Sequence, residues 1–221
     1  QLEEHVLLMI KAEFFVQLIG AAFFLILNIY LAKQGFSDPE IANFISYRFL
    51  AVMLLAFPLG FYIKGKPLKP FFILGSLGVP TVAIALVLAV QYALYQYLPL
   101  LFILWGIVFT LFQVSSLPYV MRNTSVANQS HAISLNYATH SFGTILSGII
   151  IFGFGQFMRE MDEGIILLFI AVIGFFGVHY LLRMRVDVVV PVKKGLQWKS
   201  YDWCLLLKAI VPTIIIAIGA G

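Results

Sequence analysis

Charge is scarce in this sequence. Only 11% of the 221 residues are charged and 62% are hydrophobic, whereas about 25% of the residues in a soluble domain are charged. A soluble domain of this length has too little interior to bury so much apolar surface. Cysteine is scarce too, and the single Cys204 excludes an intrachain disulfide framework and a multi-cysteine metal site. The composition therefore indicates a membrane protein.

The motifs of soluble catalysis are also missing. The sequence contains no Gly-rich phosphate loop, no G-x-S-x-G and no H-E-x-x-H, and its four histidines are scattered at positions 5, 131, 140 and 179. The net charge of +4 comes from basic residues that punctuate apolar runs rather than from a basic face. Nucleic acid is therefore not an expected partner. We predict a protein that is not an enzyme and that uses no cofactor or metal.

What the sequence does contain is a series of long apolar runs. A helix needs about 20 apolar residues to cross a bilayer, and six runs are long enough: 14–32, 41–63, 71–94, 100–121, 132–157 and 164–182. Another run, 204–221, begins beyond a linker at 183–203. We expect 1–182 to be a six-helix transmembrane bundle and 204–221 to be the incomplete start of a second bundle. The chain would then be a fragment of a longer protein.

Lysine and arginine alternate between the gaps that separate these runs. The even-numbered gaps hold nine basic residues and the odd-numbered gaps hold two. Because loops rich in Lys and Arg stay in the cytoplasm, we expect the N-terminus and the linker at 183–203 to be cytoplasmic. The pattern predicts a multi-pass protein of the cell membrane, of the bacterial inner-membrane kind.

Spans one, four and five carry mostly polar or small residues at a helical spacing of three or four, so those of one span share a face, and span two carries two adjacent polar residues. They are Glu13, Gln17, Gly20, Phe24 and Asn28 in span one, Tyr47 and Arg48 in span two, Gly106, Thr110 and Gln113 in span four, and Asn136, His140, Gly143, Thr144 and Ser147 in span five. Because polar groups in lipid must face the bundle interior or water, we expect these four spans to surround a polar cavity, with spans three and six as outer supports. Two polar helices followed by an apolar one occur twice, which predicts an inverted repeat, a trait of transporters.

Several stretches resemble the major facilitator superfamily. They are 28–37 at the end of span one, Pro58-Leu-Gly60 with the basic turn 64–69, 118–125 running into 134–136, and 209–221. The resemblance covers the whole chain, as an N-terminal six-helix half plus the start of helix seven. The fold class that it implies is an all-α transmembrane bundle with a 3+3 inverted repeat.

The resemblance implies a secondary active transporter, a symporter or antiporter, that moves a small solute by alternating access. Its partners would be the solute, the lipid bilayer, protons or another coupling ion, and the C-terminal half of the same protein. A gating loop would contain Gly60, Lys64, Lys66, Lys69 and Arg122. Lys64 occupies the acidic position of the family's motif, and span five lacks the Gly-Pro of antiporters, which disfavours drug–proton antiport.

Three ionisable residues are candidates for coupling or binding, each with an alternative. Glu13 could carry a proton or could end span one beside Lys11. Arg48 could hold an anionic solute or pair with a carboxylate, or it could snorkel towards the acidic residues at 38 and 40. His140 could relay protons or remain a neutral ring that is hydrogen-bonded across helices.

The uncharged candidates carry the same ambiguity. Gln17, Asn28, Gln113, Asn136 and Thr144 could hydrogen-bond a solute or could hold helices together. Gly143, Ser147 and Gly148 favour a close-packing face. An alternative function on the same fold is a lipid or lipophile flippase or exporter, whereas a channel would need a ring-forming loop, which the sequence does not contain.

Overall fold

Helices account for nearly all of the chain that is described. The structure, a computed structural model, describes residues 3–157 and 162–185. The helices are α1 (Glu4–Lys33), α2 (Asp38–Tyr62), α3 (Lys69–Gln91), α4 (Leu98–Asn123), α5 (Gln129–Phe157), α6 (Glu163–Gly174) and α7 (Phe176–Arg183), with a 3₁₀ turn at Tyr95–Tyr97. No strand occurs among these residues.

All six predicted spans are confirmed as helices long and apolar enough to cross a membrane, the sixth being α6 and α7 together, Glu163–Arg183. The chain is therefore that of a multi-pass membrane protein. The predicted linker at 183–203 is described only as far as residue 185. The rest of it and the predicted seventh span at 204–221 lie outside the described residues.

The first span differs most from its prediction. We expected it to begin at residue 14, after the charged residues Lys11 and Glu13, but α1 begins at Glu4. The helix continues through this stretch because Glu13 is completely buried among polar side chains of other helices, while Lys11 is exposed. A charged residue therefore does not end the helix here.

Two helices end in the same way. At the end of α1 the N–H of Phe36 donates to the carbonyl of Leu31 at 3.2 Å, and at the end of α3 the N–H of Leu94 donates to the carbonyl of Ala89 at 2.7 Å. This is the Schellman arrangement, which places one residue in the left-handed region. That residue is Gly35 (φ +94) after α1 and Ala93 (φ +55) after α3.

The helices pack in a regular pattern of pairs. Helix α1 packs against α5 and against α6–α7, and α4 packs against α2 and against α3. Helices α3 and α6 also contact each other. Of the six spans, α2 and α5 bury the smallest share of their surface. Their large exposed side chains, such as Phe57 on α2 and Phe152 on α5, form an apolar surface that water would disfavour.

Glycines allow two of these pairs to approach closely. A side chain at Gly106 of α4 would collide with the backbone carbonyl of Arg48 in α2, and one at Gly143 of α5 would press on Gln17 of α1. Ser147 of α5 donates to the carbonyl of Leu18 at 2.9 Å. The expected packing face is thus confirmed for Gly143 and Ser147. It is wrong for Gly148, where an added Cβ would meet nothing within 4 Å.

Candidate functional site

A cluster of polar side chains lies where α1, α4 and α5 meet. Glu13 of α1 is completely buried, and the hydroxyl of Ser116 on α4 lies 2.7 Å from its Oε2 atom. The same hydroxyl lies 3.2 Å from Oδ1 of Asn136 on α5. Within the described residues, no Lys or Arg forms an ion pair with Glu13. The carboxyl group is therefore held by hydrogen bonds alone.

Ser116 is the hub of this cluster because it touches the other two helices. A hydroxyl has one proton to donate and can accept two hydrogen bonds. If that proton goes to Glu13, the side-chain amide of Asn136 must turn its NH₂ group towards Ser116. The two ends of an amide have nearly the same shape, so this rotation satisfies both contacts without any other movement.

Gln17 connects Glu13 to His140. Its Nε2 atom lies 3.4 Å from Oε1 of Glu13 and 2.7 Å from Nε2 of His140 on α5. Gln17 is buried, whereas His140 is half-buried. The three side chains therefore form a chain of hydrogen-bonding groups that runs from an enclosed carboxyl to a partly accessible imidazole.

The position of the Gln17 amide depends on where the protons are. With its NH₂ group towards both neighbours, it donates to an ionised Glu13 and to an unprotonated Nε2 of His140. With its carbonyl oxygen towards both neighbours, it accepts from a protonated Glu13 and from an N–H at Nε2 of His140. A change at one end of the chain therefore favours the matching change at the other end.

The structure brings together some of the predicted site residues and separates others. Glu13, Gln17, Asn136 and His140 meet, so the interpretation in which Glu13 only ends the span does not agree with its burial. Thr144 is exposed, and its hydroxyl donates to the carbonyl of His140 in its own helix. Asn28 is exposed, and Gln113 is half-buried with no partner for its NH₂ group among the described residues. None of these three joins the cluster.

Ser116 was missed by the sequence prediction. It lies three residues after Gln113, on the face that Gly106, Thr110 and Gln113 define. The helical spacing would therefore have included it. Serine is small enough to resemble an ordinary packing residue in a span, and its contacts with Glu13 and Asn136 distinguish it from its neighbour Ser115.

Arg48 lies in a different place, among aromatic rings. Its guanidinium carbon lies 4.6 Å from the ring centre of Trp105, 5.2 Å from that of Phe109 and 5.6 Å from that of Phe49. It does not reach the acidic residues at the start of α2, where Glu40 instead accepts hydrogen bonds from Ser37. The snorkelling alternative therefore does not describe this side chain.

The basic residues of the predicted gating loop bind the ends of helices. Arg122 donates to the carbonyls of Lys66, at 2.9 Å, and Ile63, at 3.3 Å. Lys69 donates to the carbonyls of Leu182, at 3.3 Å, and Met184. Cations at carbonyl-rich helix ends satisfy acceptors that the helix leaves unpaired.

The other members of this loop have no such role. Lys66 lies 3.1 Å from the ring centre of Tyr62, and Lys64 is exposed. Gly60, on α2, is open to an added side chain. Among the described residues, the side-chain hydrogen bonds from this loop to helix ends therefore come from Arg122 and Lys69.

Over residues 3–157 and 162–185, no three His, Cys, Asp or Glu side chains come close enough together to hold a metal ion. Comparison of the chain with protein-family models gave no match. Comparison with curated proteins gave no match either.

Proposed function

We propose that this protein is a secondary active transporter of the major facilitator type, which moves a small solute by alternating access and couples that movement to protons. The observation that carries the proposal is the hydrogen-bonded chain Glu13–Gln17–His140 between α1 and α5. A carboxyl group inside a span is costly and in general marks a proton or substrate pathway. Here it is fully enclosed and connected to a group that titrates near neutral pH in water.

The location of the chain supports a coupling role. Glu13 lies nine residues after the start of α1, about 14 Å along the helix at 1.5 Å per residue. His140, at the other end, is half-buried on α5, one of the two spans that bury least surface. Through the Gln17 amide, the protonation state of the half-buried His140 thus influences that of the enclosed Glu13.

The packing of the spans supports an inverted repeat. Exchanging spans one, two and three for four, five and six turns the α1–α5 pair into the α4–α2 pair, and the α1–α6 pair into the α4–α3 pair. All four of these helix pairs are packed against each other in the structure. The same exchange leaves the α3–α6 pair unchanged, and these two helices are also in contact. Transporters built from such repeats bind their substrates near the repeat interface. The Lys and Arg distribution supports a cytoplasmic N-terminus.

Transport by reconstituted protein tests the proposal. Proteoliposomes that contain the full-length protein would be screened with radiolabelled solutes in the presence and absence of an imposed pH gradient. We expect at least one solute to accumulate above equilibrium only with the gradient. Glu13→Gln, which keeps the shape and removes the titration, should abolish accumulation while leaving downhill exchange of the same solute in place.

His140→Asn should have the same effect, because asparagine keeps a hydrogen-bonding group and cannot carry a proton at this position. Thr81→Val is the matched control, since Thr81 on α3 is exposed and bonds only the carbonyl of Leu77 in its own helix. If the pH gradient still drives accumulation in Glu13→Gln and His140→Asn, the hydrogen-bonded chain Glu13–Gln17–His140 has no role in coupling. If no solute class shows any flux, the proposed transporter function is wrong.

A lipid or lipophile flippase on the same fold is the second candidate. The favouring observation is a shallow, mostly apolar surface pocket on α2, lined by residues that include Tyr47, Phe49 and Met53. The acyl chain of a lipid would lie along these apolar side chains. Dithionite quenching of a fluorescent phospholipid in the same vesicles would distinguish the two: protein-dependent exposure of inner-leaflet lipid supports the flippase, and none supports a soluble cargo.

A further inference from the structure

Arg48 is a cation for which the described residues provide no counter-charge. It lies ten residues after the start of α2, a 25-residue helix, so it sits about 15 Å from one end of a span about 37 Å long. Within residues 3–157 and 162–185 it has no ion pair and its Nε–H has no acceptor. The aromatic rings around it attract the cation but carry no net charge.

A small cavity lies against this arginine. Its volume is about 70 Å³, and its walls come from α1, α2 and α4; they include Phe24 and Asn28 of α1, Arg48 of α2, and Phe102 and Trp105 of α4. None of the lining residues is acidic. A single small group, of the size of two or three water molecules at about 30 Å³ each, would fill the space.

The polar groups at the cavity are mainly donors of hydrogen bonds. The guanidinium presents N–H groups in a planar fork and cannot accept. The indole N–H of Trp105 is buried and has no partner among the described residues. Asn28 adds an amide whose NH₂ end can face the cavity. A fixed positive charge with neighbouring N–H donors and no carboxylate is the arrangement that selects an oxyanion.

The carboxyl group of Glu13 does not serve as the missing counter-ion. It lies fifteen residues before Asn28 on the same helix, about 22 Å away along the axis, and it is enclosed by Ser116 and Gln17. Glu40 is bonded to Ser37, and the arginine is turned towards Trp105 instead. Glu13 and Glu40 are thus engaged elsewhere, and the two other acidic residues of α1 and α2, Glu4 and Asp38, are exposed at the first residues of their helices.

From these observations we propose that Arg48, Trp105 and Asn28 form a binding site for an oxyanion group, a carboxylate or a phosphate, of the transported solute. The proposal rests on the transporter function and names its substrate class. The cavity takes only the anionic group, and the remainder of the solute extends towards the exposed face of α2. The buried rings of Phe102 and Trp105 shield one side of the guanidinium from water and so strengthen its contact with an anion.

Thermal stabilisation of the purified full-length protein in phosphatidylcholine nanodiscs tests this site without any need for transport. The probes are sodium succinate and inorganic phosphate, with sodium chloride at matched ionic strength as the reference. A ligand that binds only the folded state raises the melting temperature in a saturable way. We expect at least one of the two anions to do so and chloride to have no such effect.

Variants then locate the effect. Arg48→Gln should weaken the apparent affinity about tenfold or more, since it removes the charge and the fork. Arg48→Lys keeps the charge but not the bidentate geometry, so it should be intermediate and also serves if Arg48→Gln does not fold. Trp105→Phe should weaken binding by removing the N–H. Lys11→Gln, which removes an exposed cation about 25 Å away along α1, is the control and should bind as the unmodified protein does.

Three outcomes overturn the proposal. One is that neither anion stabilises the protein. The second is that Arg48→Gln and Lys11→Gln bind equally well. The third is that added phosphatidylglycerol stabilises the protein through Arg48 where succinate and phosphate do not, which assigns the site to a lipid headgroup. Transport of a neutral solute that is unaffected by Arg48→Gln would remove the anion site and leave the transporter function intact, so the two failures can be told apart.

Discussion

The hydroxyl of Ser116 links a buried carboxyl on α1 to an amide on α5, and its neighbour Ser115 does nothing of the kind. Both serines are buried, but Ser115 donates to the carbonyl of Leu111 within its own helix, at 2.8 Å. Ser116 therefore makes tertiary contacts with other helices, whereas Ser115 bonds within its own helix. The difference sets up a matched pair of variants.

Ser116→Ala should destabilise the protein by about 1–3 kcal/mol, because it leaves a buried oxygen of Glu13 without its donor. Ser115→Ala should cost about 1 kcal/mol or less, since the backbone bonds of the helix remain. The free energy of unfolding in mixed detergent measures both. Equal losses for the two variants would mean that the contact with Glu13 contributes nothing to stability.

The site was predicted unevenly from the sequence, for a physical reason. Helical spacing gave the faces that carry Glu13, Gln17, Asn136 and His140. It did not identify Ser116 as a site residue. It also placed Asn28 on the same face as Glu13, although Asn28 is exposed and Glu13 is buried. Helices cross, so a neighbour covers only part of a face, and the place where it does so depends on the tertiary packing.

At the scale of the helices, the two Schellman ends differ in one residue. Gly35 and Ala93 both have positive φ, which costs an L-residue about 1–2 kcal/mol and costs glycine little. The end of α3 therefore stores strain that the end of α1 avoids. Only the backbone geometry reveals this, since an alanine in the sequence gives no turn signal.

Ala93→Gly should accordingly stabilise the protein by about 1 kcal/mol. Gly35→Ala is the converse change and should destabilise it by a similar amount. An added Cβ at Gly35 would meet nothing within 4 Å, so that variant tests φ alone. Both effects are read as shifts in the unfolding midpoint, and shifts of the same sign in the two variants would contradict the explanation.

The pair α2–α4 depends on a glycine. Gly106→Ala should destabilise the protein by about 1–3 kcal/mol, as overpacking commonly does, because its methyl group would meet the carbonyl of Arg48 and Cβ of Ala51. Gly148→Ala, on α5, meets nothing and should be neutral or slightly stabilising through helix propensity. Unfolding in mixed detergent compares them, and a neutral Gly106→Ala would show that α2 can move away from α4 without loss.

The elements themselves were more predictable than their ends. Six apolar runs became six spans because length and hydropathy decide what crosses a bilayer. Helix α1 begins at Glu4, ten residues before the apolar run that predicts the first span, since Lys11 and Glu13 interrupt the run without ending the helix. The break between α6 and α7 at Phe175 was not predicted, because no proline marks it in the sequence. The residue before the break is Gly174, which packs against Ile19 of α1.

For the molecule as a whole, the arrangement of charges in the gaps predicts the orientation in the membrane. In a Cys204→Ser background, Val126→Cys, in the exposed turn between α4 and α5, should react with an impermeant maleimide only in inside-out vesicles. Gln96→Cys, in the exposed 3₁₀ turn before α4, should react only in right-side-out vesicles. The opposite result would invert the orientation.

The lone guanidinium midway along α2 also has an electrical consequence. Moving one elementary charge across the membrane potential involves about 2.3 kcal/mol per 100 mV. If Arg48 shifts through part of the field during alternating access, the empty protein carries its charge while the anion-loaded protein is close to neutral. The membrane voltage would then change the rate at which the empty protein returns and leave the loaded step almost unaffected. A pre-steady-state current that anions suppress would be its signature.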